Sequence, residues 1–206
     1  GIPNGLENSM FQLGKILVLS IVAGFGTSSI AANAVSNNIA MFAILPGMSV
    51  GFALLTVISQ CVGAGDYQQA KYYTRKLMKI TYLALIAINI LLMLILPLII
   101  RIYGLSHEAS TYAYKILIYH SICVVTIWPL SFTLPNTLRA SNDVKYTMVL
   151  AIISMWVFRI GFSYILGVNL KMGVFGVWVA MTIDWLFRSI AFVWRYLRGK
   201  WQLQKI

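Results

Sequence analysis

Six apolar runs, separated by short charged turns, occupy nearly the whole of this 206-residue sequence. Their approximate bounds are 6–25, 32–61, 80–100, 114–138, 146–167 and 174–197. A helix needs about 20 apolar residues to cross the ~30 Å hydrocarbon core of a bilayer, and each run is long enough. With 60% hydrophobic and only 10% charged residues, the chain lacks the polar residues that a water-soluble domain places on its surface. The sequence therefore predicts an all-α polytopic membrane protein with six transmembrane helices.

Basic residues are concentrated in every second loop and at the C-terminal end. They are Lys71, Arg75, Lys76 and Lys79 after the second run, Arg139 and Lys145 after the fourth, and Arg195, Arg198, Lys200 and Lys205 at the end. Because Lys and Arg are enriched in cytoplasmic loops, we expect both ends to face the cytoplasm in the cell's inner (plasma) membrane. Arg101 and Lys171, on the opposite side, count against this orientation. The net charge of +11 thus follows from membrane orientation, and no nucleic-acid partner is predicted.

Two of the runs contain a proline near their middle. Pro46–Gly47 interrupts the second run and Trp128–Pro129 interrupts the fourth. Proline removes a backbone donor and bends a helix. Within a bilayer such a bend persists where neighbours or a watery cavity satisfy the freed carbonyl. The breaks predict either a substrate cavity with a moving gate or two static kinks, and the residues alone leave both open.

Three charged residues lie well inside the apolar runs: Asp184 and Arg188 in the sixth, and Arg159 in the fifth. A charged side chain at the bilayer centre costs about 2.5–3.5 kcal/mol on insertion scales. Asp184 and Arg188 are four residues apart and can pair within one helix, and Arg159 can reach Asp184 from the adjacent helix. Asp184 is therefore either an ion or proton site or the centre of a packed ion pair. Two cations around one anion favour the ion pair.

Uncharged polar residues also occur within the runs. Asn33 and Asn37 share one helical face of the second run, and Gln12 lies in the first. Such side chains either line an aqueous route or form hydrogen bonds between packed helices. His120 is interpreted as a packing histidine, with a proton relay as the alternative. Glu7 is interpreted as a charge that favours a helix N-terminus.

Motifs of enzymes and cofactor-binding proteins are missing from the sequence. It holds no G-x-x-x-x-G-K-[ST] phosphate loop and no H-E-x-x-H or paired-cysteine metal pattern. Cys61 and Cys123 are too few for a disulfide framework or a four-cysteine metal site. We therefore expect a protein that is not an enzyme and that holds no cofactor and no metal centre.

Four stretches in chain order carry a resemblance to a known family. They are GIPNGLENSMFQLGK (1–15), the long stretch 30–76 with its Gly-Ala-Gly-Asp turn, LRASNDVKYTM (138–148), and GVFGVWVAMTIDWLFRSIAFVWRYLRGKW (173–201). Together they resemble the C-terminal six-helix lobe of MATE (multidrug and toxic compound extrusion) transporters. Ala140 stands where the family's Leu-Arg-Gly-x-x-Asp turn has glycine. The resemblance covers the whole chain.

The resemblance implies a fold of two six-helix lobes, of which 1–206 is the C-terminal transmembrane lobe and the N-terminal lobe is missing. Gly rather than Met at position 1 also leads us to expect a piece of a longer protein. The implied activity is export of small amphipathic organic cations in exchange for Na⁺ or H⁺, by alternating access within membrane lipid. The cavity residues expected on this basis are Phe11, Gln12, Asn33, Asn37, Pro46, Trp128 and Pro129.

Two departures from the family pattern concern the coupling ion. Some members carry a cation-site Glu in the first helix of this lobe and an Asp midway along the fourth helix. Phe11 and Trp128 stand near those positions here, so no cation ligand of the family is transferred to this chain. We expect the Na⁺ or H⁺ to bind mainly in the missing lobe.

Three other functions compete with this interpretation. A flippase for lipid-linked sugars shares the helical plan but needs a basic cavity for phosphate, and the interior offers only Arg159 and Arg188 beside Asp184. A non-transporting membrane scaffold subunit is not expected to carry central polar stripes and helix breaks. A membrane enzyme needs a cluster of acid, base or metal-binding groups near one interface, and the sequence indicates none.

Overall fold

A computed structural model describes the backbone of residues 2–203 and the side chains of residues 5–202. Within that range the chain is helical and contains no strand. The α-helices are α1 (Ile2–Ala23), α2 (Thr27–Gly63), α3 (Tyr67–Ile102), α4 (His107–Thr126), α5 (Pro135–Ala140), α6 (Val144–Ser154) and α7 (Gly173–Leu197). Three π-helical segments cover Pro129–Thr133, Met155–Gly161 and Ser163–Asn169, and a short 3₁₀-helix covers Lys200–Leu203.

The helices account for six crossings of a membrane by length and composition. Five single helical stretches are long and apolar enough to span one, and the count is six when the bent pair formed by α4 and residues Pro129–Ala140 is taken as one span. In chain order this pair is the fourth crossing. The two parts of this pair meet at an angle of 59°. The predicted all-α, multi-span fold class is confirmed.

The outer surface of the bundle is apolar, as expected where lipid replaces water. On α3, Leu94 is 74% exposed, whereas Leu85 is fully buried and Leu96 is nearly so. The buried positions of this helix recur every three or four residues along its whole length, so one stripe packs on α2 and α4 while the rest is left for lipid.

The two central prolines have different structural consequences. The fourth crossing breaks between Thr126 and Pro129. After the break, the Leu134 N–H donates to the Pro129 carbonyl over 2.9 Å, which closes a wide i→i+5 turn. In contrast, α2 continues through Pro46 as one helix, so the predicted interruption at Pro46–Gly47 is wrong. A single proline removes only one backbone hydrogen bond, and here the ring of Trp128 packs directly against Gly47 and supports the helix at that point.

The fifth crossing, Val144–Asn169, consists of α6 and the last two π-helical segments. The sequence did not predict that its second half is π-helical. Its two segments carry wider i→i+5 turns, which are often found at functional sites. The second segment packs closely on α7, where a Cβ placed on Gly176 would lie 2.9 Å from the Gly167 nitrogen and the Leu166 carbonyl carbon. Arg159 lies in the first segment.

Candidate substrate groove

An open groove of about 810 Å³ runs along one side of the bundle. Its walls come from α1, α2, the bend in the fourth crossing, the fifth crossing and α7. Several aromatic side chains contribute to the lining, among them Phe11, Trp128, Phe132, Trp178 and Trp185. A groove of this size and composition is suited to a drug-sized organic molecule.

The groove brings together four of the seven cavity residues expected from the sequence: Phe11, Asn33, Asn37 and Trp128. The other three do not line it. Gln12 is exposed on another face of α1, because neighbouring residues of a helix point about 100° apart. Pro46 and Pro129 lie outside the lining as well, although the adjoining Gly47 and Trp128 are part of it.

A hydrogen bond connects α2 and α7, which both contribute walls of the groove. The indole Nε1–H of Trp178 donates to Asn33 Oδ1 over 3.0 Å, and both side chains are buried. His120 lies between two indoles, with ring centroids 5.3 Å from Trp178 and 5.6 Å from Trp185. Its Nδ1 is buried without a hydrogen-bond partner among the described residues, so His120 does not form the hydrogen bond expected of a packing histidine.

Replacing Asn33 with alanine is expected to lower the free energy of unfolding by about 1–2 kcal/mol, because the buried Trp178 N–H then has no acceptor. Asn37→Ala is the matched control. Asn37 lies one turn along the same helix, is exposed, and makes no side-chain hydrogen bond among the described residues. The melting temperature of the purified protein in detergent measures both changes, and an equal loss in the two variants would contradict the assignment.

Asp184 and Arg188 form a buried ion pair within α7. Arg188 Nε lies 2.8 Å from Asp184 Oδ1, and the two side chains are 3% and 0% exposed. Arg188 Nη2 also donates to the Ala151 carbonyl over 3.1 Å, and the Ser154 hydroxyl contacts Asp184 Oδ1. These contacts neutralise the pair and connect α7 to α6.

Arg159 forms no ion pair with Asp184, which pairs with Arg188 instead. The Arg159 guanidinium lies over the Phe11 ring, 5.4 Å from the centroid, and its Nη1 donates to Met155 Sδ over 3.8 Å. Asp184 Oδ2 is left buried without a hydrogen-bond partner among the described residues. Arg159 lies in the first π-helical segment of the fifth crossing and lines the groove, as Arg188 does.

The sequence analysis missed Lys15 as a groove residue. Lys15 lines the groove, and its ammonium lies 5.5 Å from the centroid of the Phe11 ring. A lysine inside the first apolar run, one turn after Phe11, was the available signal, because intramembrane charges normally mark functional positions.

Glu7 also differs from its interpretation as a charge at a helix N-terminus. Its Oε1 accepts from Arg139 Nη2 over 2.6 Å, which links α1 to α5 at the edge of the groove. Arg139 Nη1 donates in addition to Asn136 Oδ1 over 3.2 Å. Because Glu7 and Arg139 are 132 residues apart, no local pattern in the sequence indicates this pair.

Every one of the five acidic side chains of the chain has a partner within residues 5–202. Three form ion pairs and two accept hydrogen bonds. The ion pairs are Glu7–Arg139, Asp143–Arg195 and Asp184–Arg188, while Asp66 accepts from the Gln69 backbone and Glu108 from the Tyr112 hydroxyl. The groove therefore presents cations without presenting a free carboxylate.

A multi-span helical bundle with an aromatic, partly charged groove is typical of membrane transporters, and comparisons with known proteins agree. A family model described as MatE matches residues 3–165. The chain is 26% identical to the probable multidrug resistance protein YoeA of Bacillus subtilis and 22% identical to the probable multidrug resistance protein NorM of Thermotoga maritima. Both matches cover all of this chain and 44% of the relative.

Solved structures show the same fold. One is the outward-facing conformation of a multidrug resistance MATE family transporter, with a TM-score of 0.87, 19% identity, and coverage of 99% of this chain and 46% of that one. An inward-facing conformation gives a TM-score of 0.85 at 18% identity and covers 100% and 48%. The chain belongs to the MatE family, and it spans less than half the length of these relatives.

Proposed function

We propose that this chain is the C-terminal lobe of a secondary active multidrug efflux antiporter. The observation that carries the proposal is the aromatic groove, which is open along one side of a six-crossing bundle. Relatives about twice as long support a second lobe, the N-terminal lobe of the same protein, as the partner that closes this open side.

Substrate would pass between the two lobes by alternating access. The similarity of this chain to both an outward-facing and an inward-facing transporter structure supports rocking of the lobe as a body with modest internal change. The 59° bend in the fourth crossing places Trp128 at the groove and provides a point where the wall can move. Small amphipathic organic cations are the substrates proposed from the family, with the indoles as apolar walls and cation–π partners.

Exchange for Na⁺ or H⁺ is proposed as the driving force, with the ion bound mainly in the other lobe. A Na⁺ site needs oxygen ligands that are free to turn toward the ion. The proposal is supported by the three ion pairs that hold Glu7, Asp143 and Asp184. It is also supported by the described residues, which hold no cluster of three or more potential ligands among His, Cys, Asp and Glu.

The membrane is proposed to be the plasma membrane, with both ends of this chain cytoplasmic. Lys71, Arg75 and Lys79 are on the side that the positive-inside rule assigns to the cytoplasm. Labelling of a cysteine introduced at Lys79 in intact cells tests the orientation. We expect labelling by a membrane-impermeant maleimide only after the cells are opened, and labelling before opening would contradict the proposal.

Ethidium retention in cells that express the whole transporter tests the proposed activity. We expect low retention that rises when the Na⁺ or H⁺ gradient is collapsed. Trp128→Ala should slow export about tenfold, since a buried aromatic wall of a binding site is lost. Trp194→Ala, in an exposed tryptophan outside the groove, is the matched control. Equal retention in all these cells, at verified surface expression, would contradict drug export.

A further inference from the structure

One aromatic ring in the groove has three cations around it. The Lys15 ammonium lies 5.5 Å from the Phe11 centroid, and the Arg159 and Arg188 guanidiniums each lie 5.4 Å from it. All four residues line the groove. Such contacts with the face of a ring attract each cation, but they do not cancel the repulsion among the cations.

Only one of the three cations is neutralised. Arg188 is paired with Asp184, whereas no carboxylate among residues 5–202 forms an ion pair with Lys15 or Arg159. The three acids that form ion pairs, Glu7, Asp143 and Asp184, are paired with other cations, so Lys15 and Arg159 have no carboxylate of their own among residues 5–202. Lys15 and Arg159 therefore lie beside Phe11 without an ion-pair partner among the described residues.

The surroundings make these charges available to a ligand. Arg159 is half-buried and Lys15 is exposed. A charge at the edge of lipid is costly without a counter-ion, so an anion that enters the groove gains strongly from pairing here. An Arg guanidinium binds carboxylate, sulfonate or phosphate oxygens through two parallel hydrogen bonds, and a Lys adds a point charge.

The rest of the groove sets the shape of such a ligand. Trp128 stacks on Phe132 with ring centroids 5.2 Å apart, and Trp185 meets Phe132 edge-on at 5.7 Å. These rings form an apolar wall in the same groove as the cations. A molecule that satisfies both parts has a flat apolar body and one anionic group.

We propose that Lys15 and Arg159 form an anion subsite in the groove, which binds the carboxylate or sulfonate group of an amphipathic organic anion or zwitterion. The inference rests on the proposed export function and assigns two residues of this chain to the anionic group of a substrate. Phe11 positions the two cations, and the aromatic wall binds the body of the ligand.

Fluorescein, an aromatic carboxylate, and ethidium, an aromatic cation, are the probes for a transport test with the whole transporter in cells. Arg159→Gln and Lys15→Gln remove the positive charge and leave a shorter, neutral polar side chain. Each should reduce the ratio of fluorescein export to ethidium export about tenfold, because one charge-assisted contact to the anion is lost. Arg101→Gln, in an exposed arginine outside the groove, should leave the ratio at the wild-type value.

Two transport outcomes would overturn the proposal. An unchanged ratio in both variants would show that the cations do not contact an anionic substrate. A parallel loss of both activities at normal surface expression would indicate that Arg159 pairs with an acid elsewhere in the protein instead of with a ligand.

Binding of fluorescein to the purified transporter in nanodiscs separates this inference from the proposed function. We expect binding, measured by fluorescence polarisation, to weaken about tenfold in Arg159→Gln. Binding without export in the wild type would support the subsite while contradicting efflux. Equal affinity in wild type and variant would overturn the subsite.

The lipid composition of the nanodiscs distinguishes an organic anion from a lipid phosphate as the ligand of the subsite. An organic-anion site binds fluorescein equally in discs of phosphatidylcholine alone and in discs that also contain phosphatidylglycerol. If phosphatidylglycerol displaces fluorescein from the wild type but not from Arg159→Gln, a lipid phosphate occupies the site, and the assignment to an organic anion is overturned.

Discussion

Asp184→Asn is expected to lower the free energy of unfolding by about 3–5 kcal/mol, the typical cost of leaving one partner of a buried ion pair without its counter-charge. Arg188 is only 3% exposed and donates to Asp184 Oδ1 and to the Ala151 carbonyl. After the substitution its charge stays in the bundle uncompensated. The melting temperature of the purified protein in detergent and the yield of folded protein on gel filtration measure the loss.

A double variant tests the physical reason. Asp184→Asn with Arg188→Met removes both charges, and replacing a buried pair with apolar groups is often nearly neutral. We expect the double variant to recover much of the stability that the single variant loses. A single variant with wild-type stability whose transport no longer depends on the Na⁺ or H⁺ gradient would instead identify Asp184 as the coupling acid.

Gly176→Val is expected to lower the free energy of unfolding by about 3 kcal/mol, the upper end of the usual cost of overpacking. Even the first side-chain carbon would lie 2.9 Å from backbone atoms of Gly167 and Leu166, and backbone cannot turn aside as a flexible side chain can. The fifth crossing and α7 would have to separate. Thermal unfolding in detergent, followed by tryptophan fluorescence, measures the effect.

Gly5→Ala is the matched control for this glycine. Gly5 also lies within a helix, α1, but a Cβ placed there meets nothing within 4 Å. Alanine is favoured over glycine inside a helix by up to about 1 kcal/mol, so the control should be neutral or slightly stabilising. A comparable loss in both variants would show that helix propensity, and not the close contact of the fifth crossing with α7, decides the outcome.

Local patterns in the sequence predicted the parts of the structure that depend on neighbouring residues. The apolar runs marked the crossings because bilayer thickness sets helix length. The contact of Asp184 with Arg188 was also accessible, since residues four apart meet on one helix face. The break at Trp128–Pro129 followed from the missing proline donor.

The sequence-based expectations failed where the answer depended on which helices pack together. Pro46 carries the same local signal as Pro129, yet α2 continues through it beside Trp128. Gln12 and Phe11 are adjacent in sequence, but only Phe11 faces the groove. Arg159, in the π-helical part of the fifth crossing, lies over Phe11, and Asp184 pairs with Arg188 instead.

The sequence by itself determined that this protein is a membrane-embedded helical bundle of the MATE type, because apolar length and the order of motifs are properties of the chain alone. Only the tertiary structure decided which charges are neutralised. Glu7 finds Arg139 across 132 residues, whereas Lys15 and Arg159 meet at Phe11 without an acid. Ion pairing depends on distances of a few ångströms in space, and spacing along the chain does not set those distances for residues on different helices.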